Sequence, residues 1–497
     1  MSTAKQTSAI TDHDAAELKK MGYEQELNRH MGGFSNFAIS FSIICILAGG
    51  ISAFPLALGA AGGASVGIGW LVGGVFAAIV ALAMAQISSS YPTAGGLYHW
   101  GSILGGKGYG WCTAWFNLLG LIFVVASVNF GVYDFFFKGL ALPILGVDTA
   151  NFGYGHQTFY IALFTAIQAV LIYRFPKITT KLTDLSGYLI MIIATVLTIS
   201  LLVYNQTPLD FSRLTTFTNF TGTEGSVWPA SEGMVFPFLL GLLLAVYTIT
   251  GFDASAHIAE ETKNAAYVVP KGIITSVVYS VVYSVIFGYI MICTFVLVMP
   301  DVQTGVKQGF GFFAELLKTL PASLEIALGL GIFLVNFLCG LACLTSTSRM
   351  MYAFARDGGL PASKFLRQVN PTLKTPVVAV WVSAILALIA TLYAAAFSVL
   401  AVGCAVFLYI SYIMPTAAGI FAEGKTWKHK GPFDLKGLSK PIAILAVIGG
   451  GFLVIVGVQP PNEKVLYVTI AMLVVMGIFW FLLGEKNRFK GPPLIKD

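Results

Sequence analysis

Charge is what this 497-residue sequence lacks: Asp, Glu, Lys and Arg together make up 10% of it, against about 25% in an ordinary soluble domain. With 57% hydrophobic residues and a mean hydropathy of +0.81, the deficit excludes a soluble globular chain and implies a polytopic membrane protein. Cysteine is scarce as well. The six, at positions 45, 112, 293, 339, 343 and 404, all fall in apolar runs, and none has the paired loop spacing of a disulfide or zinc site. Cys339 and Cys343 share a helix face, which suits small packing residues. Missing too are the sets that intramembrane chemistry needs, such as His-x-x-x-His or paired membrane aspartates, and the continuous polar stripe of a channel. An enzyme and a channel are therefore disfavoured, and no cofactor is expected.

About twelve apolar runs of roughly 20 residues are present, each long enough for a ~30 Å hydrocarbon core at 1.5 Å per residue. They are spans 1 to 12: 34–58, 66–89, 110–137, 155–173, 185–204, 234–260, 273–299, 322–348, 377–395, 397–420, 441–457 and 465–484. Basic residues near span ends stay on the cytoplasmic side. If the N-terminus is inside, 24 of the 29 Lys and Arg lie inside, and only Lys138, Arg213, Lys307, Lys318 and Lys464 lie outside. Both termini are thus expected in the cytoplasm, and topology accounts for the net charge of +6 with no nucleic-acid partner. The polar residues 1–30 lack the basic, apolar and small-residue order of a signal peptide and read as a cytoplasmic tail.

Two apolar runs are interrupted. Span 1 contains Ala48-Gly49-Gly50-Ile51-Ser52 followed by Pro55; glycines cost a helix about 1 kcal/mol each relative to Ala. Span 6 contains Thr250-Gly251-Phe252-Asp253-Ala254-Ser255. Irregular backbone at membrane depth persists only where protein or a wet cavity covers it, so paired interruptions point to a binding site. Asp253 carries the sharpest signal, because an ionisable group at mid-membrane costs at least ~2.5–3.5 kcal/mol without a partner, a proton or water. His257 and the Glu260-Glu261 pair follow one and two turns on, and read as a helix-end gate bonded to Lys263 or to loop amides.

Between spans 2 and 3 runs Ser88-Ser89-Ser90-Tyr91-Pro92-Thr93-Ala94-Gly95-Gly96-Leu97-Tyr98. With Gly32-Gly33-Phe34 upstream, Gly251-Phe252-Asp253-Ala254-Ser255-Ala256-His257 and Glu260-Glu261-Thr262 in span 6, and Tyr352-Ala353-Phe354-Ala355-Arg356-Asp357-Gly358 after span 8, it resembles the amino acid–polyamine–organocation permeases. The amino acid/choline/γ-aminobutyrate branch is the nearest match. The resemblance implies an all-α membrane protein of about twelve helices with a five-plus-five inverted repeat, the LeuT-like fold, and helices 1 and 6 broken at mid-membrane. Residues 31–204 would then form the first repeat and 234–420 the second. They are joined by an extracellular loop, 205–233, and followed by a basic cytoplasmic loop, 421–440, spans 11 and 12 over 441–484, and a cytoplasmic tail, 485–497. Spans 11 and 12 would serve packing or dimer contact.

The implied activity is secondary transport of an amino acid or γ-aminobutyrate across the plasma (inner) membrane by alternating access, ion-coupled or by exchange. Choline, a polyamine, or a non-transporting sensor on the same fold are the alternatives. The expected substrate residues are Ala48, Gly49, Gly50, Ile51 and Ser52 with Tyr247, Thr250, Gly251, Phe252, Asp253 and Ala254. Tyr247 occupies the place of an aromatic lid. Either H⁺ or Na⁺ would be the coupling ion. Thr345 and Ser346 look similar to a sodium site facing span 1, whereas Ile190 stands about where some relatives carry a span-5 lysine that substitutes for sodium.

Overall fold

A computed structural model describes residues 19, 22–91, 93, 95–283, 288–393, 396–460 and 462–493. Most of the expected N-terminal tail, Pro92 and Ala94 of the loop motif, four residues of span 7, residues 394–395 at the end of span 9, residue 461 and residues 494–497 of the expected C-terminal tail lie outside the described residues. In lipid a backbone must satisfy itself. The described parts of all twelve runs are accordingly mainly helical, and no β-strand occurs among the described residues beyond two isolated bridges.

Nine helices among the described residues are long and apolar enough to cross a membrane, and the pair Tyr289–Val298 and Val302–Gln308, bent by 103°, makes a tenth. The runs 234–260 and 377–395 yield only the shorter apolar helices Val235–Thr248 and Val377–Tyr393. The first is short because span 6 is broken. The second reaches 17 residues, or about 25 Å at 1.5 Å per residue.

Burial ranks the spans. The most apolar window of Gly33–Ser52 is 89% buried within the protein, while those of Lys436–Gly457 and Glu463–Leu482 are 17% buried. Span 1 is therefore the axis, and spans 11 and 12 form the outer wall. The helix Ala322–Arg356, 35 residues long, extends span 8 about two turns past its apolar stretch and carries Arg349 and Arg356 to one end of the bundle.

Both expected breaks are present, and the first is displaced. Span 1 runs as Gly33–Ile44, leaves the helix at residues 45–47, resumes for Ala48–Ser52, bends at Ala53 and continues as Phe54–Ala61. Gly49 and Gly50 are thus helical, one turn beyond the break assigned to them. A Cβ at Gly49 would lie 2.7 Å from Thr248 Oγ1 and 2.9 Å from its Cα, so that glycine serves a close helix approach. Span 6 unwinds where its sequence indicates: Leu243–Thr248 ends, residues 249–253 are irregular, and Ala254–His257 resumes. Gly251 has φ +88°, and a Cβ there would meet Ile43 Cγ2 at 2.2 Å. The left-handed backbone costs an L side chain roughly 1–2 kcal/mol before any clash. We expect Gly251→Ala to lower the melting temperature of the purified protein, and Ile43→Ala in the same chain to restore part of the loss. Equal melting of Gly251→Ala and wild type would show that span 1 does not press on this break.

Candidate functional site

The two breaks face each other. Ser40 of span 1 donates its hydroxyl to Phe252 O at 2.9 Å and accepts from Ser255 N at 2.9 Å. Asn36 Nδ2 donates to Ser255 O at 3.0 Å. A small cavity of about 20 Å³ lies beside the breaks. Of the expected substrate residues, Ala48, Gly49, Ser52, Tyr247 and Thr250 line it. Gly50, Ile51, Gly251, Phe252, Asp253 and Ala254 stand outside its lining, buried behind it. The remaining wall comes from residues with weak sequence signals: Val124, Ser127, Val128 and Gly131 of span 3, Asn336 and Cys339 of span 8, and Phe397 and Cys404 at span 10. Lone polar residues within apolar runs, such as Ser127 and Asn336, were the available clue.

Tyr247 closes one side. Its hydroxyl donates to Ser127 Oγ at 3.0 Å, and its ring meets Phe397 edge-on with centroids 5.7 Å apart. The hydroxyls of Ser52, Thr248 and Thr250 are each spent on the carbonyl one turn earlier. Asn336 Nδ2 is likewise spent on Ile332 O at 2.8 Å. At the span-1 break Ala48 N donates to Cys45 Sγ at 3.3 Å, Gly49 N donates to Cys45 O at 2.9 Å, and Ile43 O has the Cys339 thiol at 3.7 Å. Irregular backbone from both breaks thus borders the cavity.

Asp253 lies beneath the cavity with no exposure. Its Oδ1 accepts from Tyr412 OH at 2.8 Å; its Oδ2 accepts from Asn117 Nδ2 at 3.2 Å and lies 3.0 Å from His257 Nε2. His257 Nδ1 is buried with no hydrogen-bond partner among the described residues. A carboxylate and an imidazole with one open nitrogen can hold a proton between them. The pair is joined to the break directly, since Tyr412 OH also accepts from Gly251 N at 3.2 Å.

Thr345 and Ser346 are not brought to Ala48–Ser52 by any hydrogen bond among the described residues. Thr345 donates to Leu341 O at 2.8 Å, and Ser346 Oγ is buried without a partner there. Ile190 is fully buried in apolar surroundings.

Each end of the pathway is sealed. On one side residues 205–233 fold over the end of span 1. Trp228 Nε1 donates to Leu56 O at 2.7 Å, Ser226 Oγ donates to Gly59 O at 2.7 Å, and Arg213 Nη1 donates to Met299 O at 2.7 Å. On the other side the expected gate exists with different partners. Glu260 receives a bidentate pair of bonds from Arg356, both 3.0 Å, and Glu261 receives Arg349 Nε at 2.8 Å. Two guanidiniums on span 8 reach the carboxylates squarely, and Lys263 is tied through its backbone N to Met31 O at 3.1 Å. Arg356 also stacks 4.0 Å above the Tyr23 ring. Asp357 accepts from Tyr23 OH at 2.8 Å and Tyr98 OH at 2.9 Å. Burial, and next the Asp357 charge, push the Tyr23 phenol well above its usual range, so it remains a donor.

Comparison with known proteins supplies the family. Residues 31–481 match the family model described as amino acid permease. The chain is 31% identical to amino-acid permease BAT1 of Arabidopsis thaliana, covering 97% of each protein. It is 32% identical to the BAT1 homolog of Oryza sativa, over 97% of this chain and 96% of that one. A GABA-specific permease of Saccharomyces cerevisiae is 28% identical over 98% of this chain and 86% of its own length. With two facing helix breaks around one sealed cavity, and a family match that runs through nearly all of its spans, this chain belongs to the amino acid permease family and is a multi-pass membrane transporter.

Proposed function

We propose that the chain moves a small zwitterion, an α-amino acid or γ-aminobutyrate, across the plasma membrane with both termini in the cytoplasm, and that protons drive it. The observation that carries this reading is the cavity lined by residues of both broken spans, Ala48, Gly49 and Ser52 of span 1 and Tyr247, Thr248 and Thr250 of span 6. A carboxylate suits backbone amides freed where such helices break. An ammonium suits the carbonyls of Ile43 and of residues 248–250. The narrow space between Tyr247, Phe397 and Val124 favours a compact solute over a long polyamine. γ-Aminobutyrate enters through the yeast relative named for it. Proton coupling draws support from the Asp253 and His257 pair, tied to the unwound strand through Tyr412; sodium remains the rival ion at Thr345 and Ser346. Transport requires no covalent step, and lipid is the natural neighbour of spans 11 and 12.

The test is uptake of labelled amino acids, γ-aminobutyrate and choline into proteoliposomes, with proton and sodium gradients imposed separately. Saturable uptake of a zwitterion driven by the proton gradient alone is expected. Uptake that follows only sodium would reject the coupling, and preference for choline would reject the substrate class.

A further inference from the structure

A second cavity, of about 310 Å³, lies outside the transport pathway, between spans 2, 6, 10 and 11. Its lining is apolar throughout. Val72 and Phe452 stand at its mouth, each about half exposed, and Leu240, Leu243, Val246 and Val406 form its buried floor. The mouth is continuous with a band of exposed apolar residues, Leu71, Val75, Ile448 and Ile455, which in a multi-pass membrane protein is the surface that lipid covers. By chain direction the groove sits in the half of the membrane nearer residues 205–233.

We propose that this groove holds one acyl chain of a bilayer phospholipid, and that the chain braces the outer half of span 6. The floor spans a weak point of that helix. Helix Val235–Gly241 and helix Leu243–Thr248 meet at Leu242, whose N–H is shared between Phe238 O and Leu239 O at 3.2 Å each. Left empty, the groove would deprive its lining of contacts on one side, and the only solvent at that face is hydrocarbon. The same short helix separates two compartments: Leu243 and Val246 face the groove, while Tyr247 and Thr248 face the substrate cavity. An acyl chain in place therefore resists the lateral swing of Tyr247 away from Ser127, and so sets how readily the cavity opens.

The probe is a phosphatidylcholine with a diazirine midway along one acyl chain, reconstituted with the full-length protein, photolysed, and its adducts mapped by peptide mass spectrometry. Adducts at the groove should exceed those on the outward faces of Tyr467 and Leu473 by about fivefold, the scale expected when packing contacts and not hydrophobic transfer hold the chain. Filling the groove with Val72→Trp or, independently, Leu453→Trp should erase that excess. Each filled variant should keep its substrate affinity, since neither residue lines the substrate cavity, and shift turnover by about threefold. Labelling spread evenly over spans 11 and 12 and indifferent to both substitutions would overturn the proposal. So would ready disulfide formation between copies carrying Val72→Cys, which would seat a second protein there. Photolabelling is readable whether or not the solute assigned above is the right one, so failure of that assignment and failure of this site are distinguishable.

Discussion

Asp253→Asn should abolish proton-driven accumulation while leaving counterflow exchange nearly intact. The carboxylate has no exposure and is held by Tyr412, Asn117 and His257. An amide of the same shape keeps the Tyr412 bond and the packing but removes the negative charge 3.0 Å from His257 Nε2. With Asp253 ionised, a proton arriving on the open His257 Nδ1 turns a lone buried negative charge into a neutral pair. Without it, the same proton would create an unpaired buried cation. Leaving a buried charge uncompensated costs about 3–5 kcal/mol, a hundredfold or more at about 1.4 kcal/mol per factor of ten. Accumulation under an imposed proton gradient should fall by about that factor, at unchanged protein levels, and exchange of labelled for unlabelled substrate should change by less than about threefold because it moves no net proton. His257→Gln should produce the same split. Accumulation by Asp253→Asn at the wild-type rate would leave the acid a structural role alone.

Much of this site could be read from the sequence, and where it could not, the reason lies in contacts between distant spans. Class, helical content and the position of the span-6 break follow from residues adjacent in sequence, because an acid beside a glycine at mid-membrane has few uses. The span-1 break misled for a physical cause. A glycine either loosens a helix or lets another backbone approach, and Gly49 does the second only because Thr248 lies against it. The gate carboxylates were legible as a gate and their partners were not: Arg349 and Arg356 are separated from Glu261 and Glu260 by 88 and 96 positions. Cys339, which suited packing alone, turns out to line the cavity together with Cys404, since which face of a span looks inward is set by its neighbours.

Opening of the Arg356 end should be the second large effect. Glu260 is wholly buried and its partner guanidinium nearly so, and the two bidentate bonds join span 6 to span 8 where the N-terminal segment crosses them. Gln25 Nε2 donates to Glu260 O at 2.9 Å, and His30 N and Met31 N donate to Glu261 O at 3.0 and 2.9 Å. The seal is thus a layered contact with an ion pair at its centre. Arg356→Gln leaves the Glu260 carboxylate in place without its guanidinium, and removal of one partner of a buried pair costs about 3–5 kcal/mol. Carrying a two-state equilibrium from 1:99 to 99:1 takes about 5.5 kcal/mol, so this single change should shift a mostly sealed population to one open much of the time. Cys339, buried at the cavity, reports it: a membrane-impermeant maleimide applied from the Arg356 side should label Cys339 about a hundredfold faster in Arg356→Gln, in line with that cost. Glu260→Gln should act alike, and uptake should fall in both because the solute can no longer be enclosed. The double variant decides the cause. Neutralising both partners removes the uncompensated charge, so Arg356→Gln/Glu260→Gln should label more slowly than either single variant, a coupling of the kind that only groups in direct contact show. Additive effects of the two changes would mean that the layered backbone contacts hold the seal and the ion pair merely occupies it.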